Sequence, residues 1–219
     1  AAFLMQLFLN DFIASLLIVI LLWIVIVLTR IWLKELAANS TFHTIYLIPA
    51  CLLLILHGQY NFHISASIAL VINLLLLNLF VKYAPKIKIW RIISAVVTSI
   101  LLYWITGGAF LIFALLCILS DLLFTKQIIN SISLLIFASV LPLLASKTIF
   151  LVTVKQAYMN NLVLENTVEL SGVAYALVLS YLLLPIFIWI VKTNRVEKYL
   201  KNFYEKNKRK KLVYLSGWI

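Results

Sequence analysis

Long runs of Leu, Ile, Val, Phe and Ala, broken by short polar stretches, set the rhythm of this chain. Seven runs approach the roughly 20 helical residues that cross a hydrocarbon layer about 30 Å thick. They are Phe12–Leu33, Phe42–His57, Phe62–Val81, Ile89–Trp104, Ala109–Phe124, Ile128–Ala145 and Gly172–Val191. The second and fourth are short, and the second contains Pro49. Continuous runs predict helices, since barrel strands alternate over about ten residues. A helix also satisfies every backbone amide within its own segment, which lipid demands. The predicted fold class is therefore all-α, a polytopic transmembrane bundle of about seven helices over 1–191, followed by a basic amphipathic juxtamembrane tail over 192–219.

Composition agrees with this solvent. The chain is 65% hydrophobic and 11% charged, with a mean hydropathy of +1.12, more apolar surface than one 25.0 kDa core can hide. Basic residues give the orientation. Arg30 and Lys34 follow helix one, Lys82, Lys86, Lys88 and Arg91 lie between three and four, and Lys126 lies between five and six. With nine more after helix seven, sixteen of the eighteen Lys and Arg fall on one face, which the positive-inside rule makes cytoplasmic. The N-terminus then lies outside and the C-terminus inside. The tail residues Lys206, Lys208, Arg209, Lys210 and Lys211 are expected to anchor on anionic headgroups of membrane lipids. Protein subunits are the other expected partners, and the basic charge is not read as nucleic-acid binding.

Three polar features carry the candidate chemistry. "HGQYNFH" joins helices two and three, placing His57, Gln59, Tyr60, Asn61 and His63 at one outward tip; the first reading is a turn, the second a pocket for a polar substrate or partner. Trp104, Gly107 and Gly108 in "YWITGG" form another outward turn, whose glycines can let backbone amides approach an anionic headgroup. The 146–171 connection is the third outer segment. Asp11, Glu165 and Glu169 are the outward carboxylates from which an acid or base would come. Asp121, near the inner end of helix five, is placed to pair with the nearby Lys126. Two histidines make no zinc site and neither cysteine has a partner motif, so no metal and no cofactor is predicted.

The order "IPACLLLILHGQYNF", "LLYWITGGAFLIFALLCILSDLL", "LPLLASKTIFLVTVKQAYM" and "LVYLSGWI" resembles a functionally uncharacterised family of bacterial multi-pass membrane proteins. The resemblance implies a membrane region followed by a soluble part like helical repeats. It suits a chain that begins at Ala1 and ends as a new apolar pattern starts near Trp218, and further transmembrane sequence before and a domain after are expected. This plan is also similar to that of glycosyltransferases using lipid-linked sugars. Three classes follow: a scaffolding membrane region, a transferase acting on a lipid-linked substrate at the outer face, and a transporter.

Overall fold

A computed structural model describes residues 11–36, 44–58, 62–85, 87–148, 152–159, 161–162 and 167–192. Among these the chain is helical, with no strand. The helices are α1 (Asp11–Leu36), α2 (Leu47–His57), α3 (Ile64–Tyr83), α4 (Lys88–Thr106), α5 (Phe110–Ser120), α6 (Ile128–Thr148), α7 (Val154–Met159) and α8 (Thr167–Lys192). A 3-10 turn, Gly107–Ala109, joins α4 to α5, and a π turn, Asp121–Thr125, ends α5.

Among the described residues, five segments are long and apolar enough to cross a membrane: Ile13–Leu36, Ile64–Tyr83, Ile89–Thr125, Ile128–Thr148 and Gly172–Ile190. The third holds both runs expected as helices four and five. It doubles back on itself. A straight helix would separate residues 91 and 121 by about 45 Å, yet Arg91 and Asp121 are 2.5 Å apart. The reversal lies at Gly107, whose φ of 61° and ψ of −140° suit glycine.

α2 is shorter than its apolar run. A helix from Phe42 would place Pro49 in its interior, where the missing N–H and the ring break the i→i−4 ladder. It begins instead at Leu47, so that Pro49 falls in the first turn. A turn at 44–46 precedes it, closed by Leu47 N–H to the Thr44 carbonyl and Ile48 N–H to that of Ile45. Eleven residues reach about 16 Å, half of a bilayer core.

α5 is the central element, with Phe110, Phe113, Ala114, Leu116 and Cys117 buried round its circumference, the mark of a core helix. α3, α4, α6 and α8 pack around it. α1 packs against α3 through Leu21, Val25, Thr29, Trp32 and Leu36, a stripe at helical spacing. α8 carries a similar buried stripe, Ala174, Leu177, Tyr181, Leu184 and Ile188, and packs on α2, α5 and α1. Outward surfaces are apolar: Trp23, Leu101, Ile129 and Leu144 are each more than half exposed, while Asn73, Asn78, Arg91 and Asp121 are buried. This inverts the arrangement of a water-soluble globule.

Candidate functional site

The His57 side chain is bonded within the chain. His57 Nε2 and Ser67 Oγ lie 2.9 Å apart across the α2–α3 connection, and the imidazole meets the Phe62 ring edge-on at 5.0 Å. Gly58 N–H continues the helix to the carbonyls of Leu54 and Ile55. His63 is exposed and stands before the first turn of α3, its carbonyl accepting from Ala66 N–H at 3.1 Å. Gln59, Tyr60 and Asn61 lie outside the described residues. No cluster of three metal-ligating side chains occurs among the described residues.

The glycine turn is held by the chain itself. A Cβ on Gly108 would lie 1.9 Å from the Tyr158 carbonyl oxygen, so α7 rests directly on the backbone at the hairpin tip. Tyr103 Oη donates to the Ala157 carbonyl at 3.4 Å, and Tyr158 Oη donates to the Ser139 carbonyl on α6. That last contact sits beside Pro142, which has no N–H for the ladder of α6. The close approach that the glycine pair allows is thus made by a peptide of the 146–171 connection. Trp104 is 61% exposed, one residue from the buried Tyr103. The two predicted turns rest on different neighbours: α2 packs on α1 and α8, the glycine turn on α7 and α3.

Asp11 opens α1 and Glu169 lies in the first turn of α8; their side chains, and all of Glu165, are outside the described residues. So is the tail containing Lys206, Lys208, Arg209, Lys210 and Lys211.

The densest polar cluster stands at the base of the hairpin. Arg91 donates to Asp121 through Nε at 3.3 Å and Nη2 at 2.5 Å, and its guanidinium lies 5.3 Å from the Phe80 ring centroid. Phe80 in turn meets Phe113 edge-on at 5.9 Å. Asp121 also accepts from Thr125 Oγ1 at 3.2 Å. Its carbonyl accepts from Gln127 N–H across the left-handed Lys126, the kind of αL termination that closes orphan helix carbonyls. Asp121 thus pairs with Arg91, while Lys126 is exposed. Arg91 belongs to the buried face of α4 rather than to the connection before it. Sequence reasoning passed over this pair, although Arg91 stands sixteen residues before Gly107 and Asp121 thirteen after Gly108, a near-symmetric placement about the turn. It also passed over Asn73, which donates to the Ala69 carbonyl at 2.7 Å and to Thr106 Oγ1 at 3.4 Å.

The arrangement can tie helices together and can hold charge inside an apolar bundle. No curated protein and no solved structure matches the chain. A family model does, over residues 1–216, and the chain belongs to that family, DUF6057, a family of unknown function.

Proposed function

We propose that this chain is the membrane-embedded structural region of a larger protein or complex, in the bacterial cytoplasmic membrane, with its N-terminus outside and its C-terminus cytoplasmic. One observation carries the reading: among the described residues the outward surface is largely apolar, while Arg91 with Asp121 and Thr29 with Tyr181 are buried and bonded in pairs. Buried charges in lipid are costly, and here they join α4 to α5. The helices other than α7 make seven crossings, with the α4–α5 hairpin crossing twice and the short α2 forming the outer part of the second. The His57 turn, the glycine turn and α7 then lie outside, and the Arg91–Asp121 base lies at the inner face with Lys82 and Lys126. The basic tail binds anionic headgroups.

The test is genetic. In a strain whose growth depends on the full-length gene, Asp11→Asn, Glu165→Gln and Glu169→Gln together leave growth unchanged at normal protein abundance. Loss of growth with the protein still present would favour the transferase at the outer face. A transporter is the second reading, supported by the buried amides of Asn73 and Asn78, whose Oδ1 atoms have no partner among the described residues.

A further inference from the structure

The seam between α1 and α3 has a polar level. There Asn78, 8% exposed, donates through Nδ2 to the Leu28 carbonyl at 3.0 Å and to the Leu74 carbonyl at 2.8 Å. Its Oδ1 has no partner among the described residues. In an α-helix the Leu28 carbonyl also accepts the backbone N–H of Trp32, so the Asn78 amide lies against the turn that joins those two residues. A helical side chain leans over the turn on its N-terminal side, which carries the Trp32 indole back toward the same place. Trp32 is fully buried, and its Nε1 is likewise without a partner. Beside them Thr29 Oγ1 and Tyr181 Oη bond at 3.3 Å, so α8 closes the level with a polar contact of its own. One buried donor and one buried acceptor therefore share a single turn of the seam and are not bonded to each other.

We propose that Trp32 Nε1 and Asn78 Oδ1 form a binding site for one small neutral molecule able to accept and to donate a hydrogen bond, with water as its resident ligand. The two groups set that class. An indole N–H only donates and an amide oxygen only accepts, so the ligand must do both, and two polar partners are enough to hold a buried water. Neither group is charged, and an ion would find no counter-charge there. A bridge of this kind satisfies both orphans, whose burial unbonded is otherwise unfavourable, and it joins α1 to α3 without direct contact between the two groups. The proposal does not depend on the scaffolding role.

The test is NMR of the full chain in detergent micelles, 15N-labelled at its six tryptophan indoles. The Trp32 resonance is assigned by its loss in Trp32→Phe. The site predicts a cross-peak between the Trp32 indole proton and a bound water, and loss of that peak in Asn78→Leu while the other indole resonances stay in place. Absence of the cross-peak in the unmodified protein overturns the proposal, and that reading needs no variant to fold. A cross-peak that survives unchanged in Asn78→Leu overturns it as well, because the water would then be held elsewhere.

Discussion

Arg91 and Asp121, thirty residues apart in the chain, meet at 2.5 Å with their side chains 10% and 5% exposed. Their contact turns two apolar helices into a hairpin with a closed base, and the seat of α7 on Gly108 closes its tip. The α4–α5 unit is thereby pinned at both ends, and α5 fills the centre of the bundle.

Removing one member of the pair should cost more than removing both. Arg91→Ala or Asp121→Ala leaves the other charge buried and unpaired, a loss of about 3–5 kcal/mol. The double variant Arg91→Met with Asp121→Leu restores an apolar contact and should lie within about 1 kcal/mol of the parent or above it. Unfolding of purified protein in mixed micelles compares the three, and equal losses in single and double variants would remove the pair from the account.

Gly108→Ala should dislodge α7. The new Cβ would need the place of the Tyr158 carbonyl, and backbone cannot yield as a side-chain tip can. A destabilisation of about 1–3 kcal/mol is expected, together with faster proteolysis at the exposed Lys155. Gly58→Ala meets only the Ile55 carbonyl at 3.3 Å and serves as the mild control.

The Tyr158 hydroxyl should matter as a tie between α7 and α6. Tyr158→Phe withdraws the donor from the Ser139 carbonyl beside the proline, and interhelical hydrogen bonds in membranes average about 0.6 kcal/mol. The loss should be of that size. Unfolding in mixed micelles reads it, and a Tyr158→Phe protein as stable as the parent would deny the contact a role.

His57→Ala should behave as the loss of one turn contact. The imidazole bonds to Ser67, so about 0.5–1.5 kcal/mol of stability goes with it. Growth should be unaffected, whether His57 is changed alone or together with Gln59 and Asn61. A growth defect at normal abundance would give the turn a binding role.

What was legible in the sequence was whatever depended on one segment at a time. The apolar runs mark helices because the requirement for about 20 apolar residues is local, and Gly107–Gly108 reads as a turn for an equally local reason. Pro49 was visible, yet the start of α2 at Leu47 follows from where a proline is tolerated rather than from where hydrophobicity begins. Pairings were not legible. Asp121 is nearer in sequence to Lys126, but the π turn and the left-handed Lys126 leave the lysine exposed, while the hairpin brings Arg91 across. Tyr158 on Gly108 depends likewise on a connection returning from α6, which no spacing in the chain announces. Asn73 and Asn78 stand inside an apolar run where the surrounding leucines set the reading.

The account rests on a bundle that crosses a membrane with the hairpin tip and its base on opposite sides. The direct measurement is labelling of single cysteines by a membrane-impermeant thiol reagent in intact cells, in a background where Cys51 and Cys117 are serine. Lys155→Cys, on the exposed side of α7, and Lys126→Cys, beside the Arg91–Asp121 base, are the two probes. Lys155→Cys should be labelled in intact cells and Lys126→Cys only after the membrane is permeabilised. Labelling of both from the same side would contradict it.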